Sequence, residues 1–175
     1  MDLLSVTHYD DYDFNLDGTP EVSYESDPEN SFPGHSPSVQ TIGRVTAVEV
    51  AIPDADTDMP SWLLTYTFYD KYGREIQTRA NNHLRGEDIT WNEYNFAGEL
   101  LFSKYQHQGY YYDEPPAPDY DPYERSATIY KAYTYDPRGR LLRTEQKTDD
   151  VDNPDTETEF VTISSQRYDK LGQLL

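Results

Sequence analysis

The amino-acid sequence predicts an all-β protein made of successive antiparallel β-hairpins separated by long acidic loops. Two observations predict this fold class. Residues 39–52 and 61–69 are rich in β-branched and alternating apolar side chains, which is typical of strands. Clusters of Asp, Asn, Gly and Pro follow such segments and indicate turns. No segment combines a helical period with capping residues at both ends, so we expect no helix.

The clearest hairpin lies at residues 133–142. Asp136 opens its turn and can accept hydrogen bonds from backbone N–H groups further along the turn. Pro137 supplies the φ of about −65° that a type I turn requires. Gly139 suits the left-handed position of a bulge that returns the chain antiparallel. The sequence therefore predicts a tight hairpin turn here.

The same turn unit occurs four times, and its glycines are 25, 41 and 33 residues apart. A period of about 20–50 residues is typical of repeat proteins. The uneven spacing predicts hairpins joined by loops of different lengths, and we interpret the recurring residues as structural. These residues are Tyr69, Asp70 and Gly73; Tyr94, Asn95 and Gly98; Tyr135, Asp136 and Gly139; and Tyr168, Asp169 and Gly172.

Two regions are predicted along the chain. Residues 1–38 form a short strand and an acidic loop rich in Pro and Gly, and residues 17–38 of it are expected to be a surface loop. Residues 39–175 form the hairpin region, which begins with a strand at 39–52 that has one apolar face. Within it, residues 108–124 contain four prolines and are predicted to be an exposed insertion loop.

Charge and composition restrict the function. The chain of 175 residues carries 33 acidic and 14 basic side chains, a net charge of −19. This charge argues against binding to nucleic acids or anionic membranes, and it permits cation binding. There is no cysteine, hence no disulfide or thiolate site. No apolar run is long enough for a transmembrane helix, and the N-terminus lacks the regions of a signal peptide.

One stretch suggests a calcium site. Asp13, Asn15, Asp17 and Gly18 match the start of a calcium-binding loop, in which oxygen ligands alternate along the chain before a glycine turn. Tyr24 stands where the twelfth position of an EF-hand requires Glu. Calcium is therefore a candidate ligand, and an acidic turn without a metal is the alternative. No other cofactor is expected.

A second set of candidate binding residues consists of tyrosines whose rings could stack on sugars or on a protein partner. The alternative is a loop without a ligand. No nucleophile motif or phosphate-binding glycine pattern occurs, and the four histidines show no ligand spacing, so we expect no catalysis. A hydrolase that uses a pair of carboxylates remains a remote option. The candidate tyrosines are Tyr110, Tyr111, Tyr112, Tyr120 and Tyr123.

The four turn units and the segments between them resemble the YD-repeat, or RHS-repeat, proteins of bacteria. The connecting motifs that carry the resemblance are Thr41-Ile42-Gly43, the loop at 82–88, and His107 after the second turn. The resemblance covers residues 41–175 well and 5–14 in part. One Tyr-Asp-x-x-Gly unit is a weak signal, whereas four in register with these motifs are specific.

The resemblance implies a curved, partly wound sheet that forms part of a hollow shell around a C-terminal polypeptide, often a toxin. It also implies a secreted or cell-surface location, with the remaining repeats and the enclosed polypeptide as partners. The motif by which the family cleaves its cargo is not matched, so no activity is carried over. Because the sequence ends where a strand should begin, we expect a fragment of a longer chain whose strand edges self-associate. A surface module that binds glycans or proteins is the alternative.

Overall fold

The strands form one antiparallel sheet in which the spatial order follows the chain order from β1 to β9. The computed structural model describes residues 4–27, 29, 36–52, 61–111, 123–150 and 159–175. These ranges contain strands and turns but no helix, which confirms the predicted all-β fold of successive hairpins. The strands are β1 Ser5–Asp10, β2 Thr41–Ile52, β3 Ser61–Tyr69, β4 Glu75–Asn81, β5 Glu87–Tyr94, β6 Leu100–Tyr111, β7 Tyr123–Tyr135, β8 Leu141–Asp150 and β9 Val161–Ser165.

Tight turns join β3 to β4, β5 to β6 and β7 to β8. At each of them the ladder shifts register next to the turn tyrosine, which is the mark of a β-bulge. The glycine of each turn adopts a positive φ, between 75° and 90°, that side chains with a Cβ rarely tolerate. The repeated Tyr, Asp or Asn and Gly therefore specify one turn geometry three times over. The glycines are Gly73, Gly98 and Gly139.

The insertion predicted at 108–124 overlaps strands at both ends, and its residues 112–122 lie outside the described residues. Strand β6 continues to Tyr111 and β7 starts at Tyr123, with Gly109 opposite Arg125 and Tyr110 opposite Glu124. The prediction was wrong at both ends because the four prolines all lie at 115–122. Residues 108–111 and 123–124 therefore keep every backbone N–H that the ladder needs.

The first strand belongs to the same sheet as the hairpins. Strand β1 pairs with β2, so residues 1–38 and 39–175 contribute to one continuous ladder. In β2, Ala47 and Ala51 are buried, whereas Val50 is 46% exposed and Ile52 37% exposed. Thr46, which by alternation shares a face with Val50 and Ile52, is nevertheless fully buried, so neither face of this strand is uniformly buried or open.

One row of buried residues crosses the sheet from β3 to β7, and other buried side chains, such as Ile76 at 1% exposed, lie outside it. The residues of the row are directly opposite one another in the ladder and therefore share a face. All are buried, although the row includes an amide and an ammonium group. The row consists of Phe68, Gln77, Trp91, Lys104 and Tyr130.

The segment between β1 and β2 covers this row. Asp27, in the part predicted as a surface loop, is only 7% exposed, and the rings of Tyr12 and Tyr24 pack on Phe68 at 4.7 and 5.9 Å. Residues 17–27 and 29 have no regular structure and most are exposed, as predicted for a surface loop, but Tyr24 and Asp27 turn inward onto the row. We call residues 12–29 of this segment, as far as the structure describes them, the strap.

Candidate functional site

The turn carboxylates bind the backbone of their own turns. Asp70 Oδ1 accepts hydrogen bonds from the amides of Tyr72 at 2.8 Å and Arg74 at 2.9 Å. Its other oxygen accepts from the Arg74 side chain at 2.6 Å. The same pair of amide bonds recurs at the other three turns, where Asn95, Asp136 and Asp169 are the acceptors. These side chains hold each turn closed through the same pair of amide bonds.

The electrostatics of these carboxyls fit that role. Burial raises the pKa of Asp70, but the hydrogen bonds from Arg74 and Tyr72 outweigh it and the pKa lies below its ordinary value. The pKa of Asp136 is lowered chiefly by the side chain and amide of Arg140. Neither carboxyl is held protonated near neutral pH, as a general acid would need to be.

Each turn tyrosine joins its hairpin to the strand before it. The hydroxyl of Tyr135, at the end of β7, donates to the carbonyl of Leu100 at the start of β6, at 2.9 Å. In all four cases the accepting carbonyl lies two residues after a glycine of positive φ. The other three bonds run from Tyr69 to Val45 at 2.7 Å, from Tyr94 to Glu75 at 3.2 Å and from Tyr168 to Leu141 at 3.1 Å.

The residue that follows each of these glycines reaches the next turn. Arg44 donates to the carbonyl of Gly73 at 3.0 Å, and Arg74 donates to the carbonyl of Asn95 at 2.7 Å. Arg140 lies over the ring of Tyr168, 4.4 Å from its centroid. Glu99 takes this position in the remaining case and lies beside Gly139. Neighbouring turns are therefore connected to one another along the end of the sheet at which the strands turn.

A fifth turn with the same residue types is divided by the strap, but its glycine amide donates to a side chain, whereas Gly73 donates to the backbone carbonyl of Asp70. Tyr9 pairs with Val45 in the ladder as Tyr69 pairs with Glu75, and Asp10 Oδ1 accepts from the amide of Gly43 at 2.6 Å. Asp10 and Gly43 are 33 positions apart, against three in the compact turns. The sequence interpretation missed this turn, although Tyr9-Asp10 and Gly43-Arg44 carry its residues.

The predicted calcium ligands lie on the strap. Carboxylate oxygens of Asp13, Asp17 and Glu21 lie within 4.8 Å of one another. Asn15 belongs to the same loop and accepts from the amide of Asp17 at 2.8 Å. Tyr24, at the twelfth position of the EF-hand pattern, lies against Phe68, and the third carboxylate belongs to Glu21 at the ninth position. Calcium binding stays a prediction, which calorimetric titration with Ca²⁺ tests.

The candidate tyrosines do not form one described cluster. Tyr110 and Tyr111 end β6, Tyr123 begins β7, and Tyr111 pairs with Tyr123. Tyr110 is half-buried. Tyr112 and Tyr120 lie outside the described residues. Only Tyr110 of the set has a described side chain, so binding through these tyrosines stays a prediction.

Sequence reasoning also missed a buried charged cluster at the centre of the row. Lys104 Nζ lies 2.6 Å from Asp27 Oδ1 and 3.1 Å from Glu29 Oε2. The rings of Trp91 and Tyr130 flank the amine, with centroids at 5.4 and 5.6 Å. No local signal in the sequence reveals this cluster, because Asp27 is 77 positions away from Lys104 in sequence.

Tyr130 and the strap complete the surroundings of the cluster. The hydroxyl of Tyr130 donates to Glu29 Oε2 at 2.7 Å, and burial, followed by that bond, raises the pKa of Tyr130. Gln77 binds both backbone groups of Glu25, at 3.1 and 2.6 Å. Trp91 Nε1 donates to the same Glu25 carbonyl at 3.0 Å. The strap is therefore fixed on either side of Asp27 by contacts to different strands.

Comparison with known proteins assigns no family. No family model matches the chain, and no curated protein is significantly similar to it. Among the described residues, there is no helix with the length and apolarity needed to cross a membrane. What the molecule does must therefore be argued from its own geometry.

Proposed function

We propose that the chain is a structural section of a YD-repeat β-shell, without catalysis of its own, in a larger secreted or surface-associated protein. The observation that carries the proposal is the contact repeated between neighbouring turns. Each turn tyrosine binds the preceding strand, as Tyr135 binds Leu100. Because every hairpin presents the same groups to the next, further hairpins can be added without a change of geometry.

The two edges of the sheet support this proposal. Strands β1 and β9 are the edge strands, and an edge strand presents backbone groups that can pair with another strand. On β9, Val161 is 60% exposed and Ile163 is 53% exposed. The partners that fit such an edge are further repeats of the parent chain, which would also enclose its C-terminal polypeptide.

Association in solution tests whether the edges accept further strands. We expect light scattering during size-exclusion chromatography to show oligomers that grow with protein concentration. Ile163→Lys should reduce them, because a charge on an edge strand opposes pairing. Val39→Lys is the control, since Val39 is 97% exposed and lies outside the strands. A species that stays monomeric at every concentration would count against the proposal.

The gene that encodes the chain provides a second test. A reading frame with many further Tyr-Asp-x-x-Gly units and a variable C-terminal region fits a shell. A frame without further units would contradict it.

The alternative is a surface module that binds glycans or a protein partner through its tyrosines. A glycan array separates the two functions. The structural proposal predicts no selective binding. Selective binding that is lost in Tyr110→Ala would favour the module instead.

A further inference from the structure

Lys104 and Asp27 form a buried contact between distant parts of the chain. Lys104 Nζ lies 2.6 Å from Asp27 Oδ1, and the two side chains are 1% and 2% exposed. The residues are 77 positions apart, so only folding brings them together. An ion pair buried in this way contributes little net stability, because the loss of hydration offsets much of the attraction between the charges.

Two aromatic rings and the strap enclose the pair and keep both groups away from solvent. Trp91 and Tyr130 flank the amine on two sides, and the strap closes over it through Glu25, which binds Trp91. A low-dielectric environment penalises charge. Transfer of one proton within the pair gives a neutral amine, which is a nucleophile, and a neutral carboxyl, whose carbon is an electrophile.

We propose that Lys104 and Asp27 join in an intramolecular isopeptide bond. The lone pair of Nζ attacks Cγ of Asp27 and a C–N bond forms. One C–O bond of the carboxyl then breaks, and its oxygen leaves as water with two of the three protons that the ammonium group carried. The ammonium and carboxylate thus become one amide and one water molecule. No electrons are exchanged, so the reaction requires no oxidant or reductant.

Glu29 is the group that moves the proton. Its Oε2 lies 3.1 Å from Nζ and also accepts from the Tyr130 hydroxyl at 2.7 Å, which fixes its position. A carboxylate at this distance can take a proton from the attacking nitrogen and give it to the leaving oxygen. The Glu29 side chain is 54% exposed, so the released water has a path to the solvent.

The close approach of the two groups lowers the activation barrier for the attack. Groups held in reacting geometry behave as if their concentration were about 10⁵–10⁸ M. A second lysine gives a natural comparison: Lys147 lies 3.0 Å from Asp149, but the two side chains are 30% and 35% exposed. That pair is open to solvent and is not enclosed by aromatic rings and the strap, so we expect no bond there.

The intact mass of the purified, denatured full chain tests the proposal. We expect a mass lower than that of the sequence by one water molecule. Trypsin should then release fragment 1–44 joined to fragment 86–125, uncut after Lys104. Residue 28 is proline and has no N–H, so Asp27 cannot lose water by closing a succinimide on the next residue. The joined fragment therefore assigns the lost water molecule to a bond between these two segments.

Single substitutions test which side chains form the bond and which side chain assists the reaction. Lys104→Arg keeps the charge but removes the primary amine, and Asp27→Ala removes the carboxyl, so both should show the full sequence mass. Lys147→Arg is the matched control and should still lose water. Glu29→Gln should form the bond more slowly. An equal rate in Glu29→Gln would remove Glu29 from the reaction.

The mass of the wild-type protein tests whether the bond forms even where a variant fails to fold. A wild-type chain with the full sequence mass and no joined fragment after prolonged incubation would overturn the proposal. A bond mapped to Glu29 instead of Asp27 would overturn it as well.

Discussion

Tyr135 donates its hydroxyl hydrogen to the carbonyl of Leu100, 2.9 Å away on the neighbouring strand. The donor ends β7 and the acceptor begins β6, so the bond joins one hairpin to the one before it. Burial raises the pKa of Tyr135. The tyrosine that looked like part of a local turn in the sequence is therefore also a contact between repeats.

Removal of this hydroxyl should weaken the fold by a predictable amount. We expect Tyr135→Phe to lower the free energy of unfolding by about 0.5–1.5 kcal/mol, the net value of one hydrogen bond. Urea denaturation measures it. Tyr72→Phe is the control, because Tyr72 is 66% exposed and should change stability little. Equal effects in both variants would mean that the bond to Leu100 does not contribute.

Substitution of the left-handed glycine of the third turn should lower stability by an amount that depends on how poorly the new residue tolerates a positive φ. Gly139 has φ of +75°, which strains a β-branched residue, so Gly139→Val should cost about 1–3 kcal/mol of stability. Any Cβ there also approaches Glu99 Oε1, at 2.6 Å. Gly139→Asn shares that contact but tolerates the conformation better. Thermal unfolding should therefore rank Val well below Asn, and equal melting temperatures would refute the assignment of strain.

We expect the protein to lose stability in acid because the turn carboxylate of Asp70 becomes protonated. The pKa of Asp70 lies below its ordinary value of 3.8, because hydrogen bonds from Arg74 and Tyr72 outweigh the effect of burial. A lowered pKa means that the folded state binds the proton less readily than the unfolded state. The stabilisation is thus complete above that ordinary value and disappears as the pH falls below it.

Substitution of Asp70 tests this assignment. Asp70→Ala should cost about 1–2 kcal/mol near neutral pH, and Asp70→Asn less. The milder effect is expected because Asn95 closes the next turn with the same amide bonds. Denaturation across the acid range measures both effects. An Asp70→Ala variant that loses stability in acid as steeply as the wild type would contradict the role of this carboxyl.

Alkaline pH should destabilise the protein more than its acidic surface alone would. Burial is the main cause of raised pKa values in a set of tyrosines, so the folded state retains protons that the unfolded state releases near the ordinary value of 10. Stability is complete below that value and should fall as the pH rises above it. The set consists of Tyr12, Tyr24, Tyr66, Tyr69, Tyr94, Tyr105, Tyr130, Tyr133 and Tyr135.

Denaturation combined with the absorbance of tyrosinate measures this dependence. Unfolding and tyrosine ionisation should occur together above the ordinary pKa. Ionisation that is complete while the sheet remains folded would contradict the burial of these hydroxyls.

The parts of the fold that the sequence predicts are those encoded by neighbouring residues. A turn such as the one at Asp136 and Gly139 is specified within four positions, so it can be predicted from adjacent residues in the sequence. The contact of Asp10 with Gly43 spans 33 positions, and that of Asp27 with Lys104 spans 77. Such contacts depend on how the strap lies across the sheet, which no local pattern encodes.

The burial of Lys104 shows the same limit. Its sequence neighbours on β6 are polar or exposed as often as apolar, and nothing in their order distinguishes a buried lysine from a surface one. The register that places it between Trp91 and Tyr130 is a property of three strands together. The strap then supplies the carboxylates that a buried ammonium requires.

The central claim is that in each repeat, including the divided first one, the glycine amide binds the Asp or Asn that opens the turn, through its side chain at Asp10 and through its backbone carbonyl in the compact turns. Amide hydrogen exchange at Gly43 tests it most directly, because this amide donates to Asp10 Oδ1 at 2.6 Å. We expect protection in the wild type and exchange about tenfold faster in Asp10→Ala, the change that the loss of one hydrogen bond implies. Gly98, whose amide binds Asn95 in an intact turn, should not change. A Gly43 amide that exchanges equally fast in both proteins would contradict the claim.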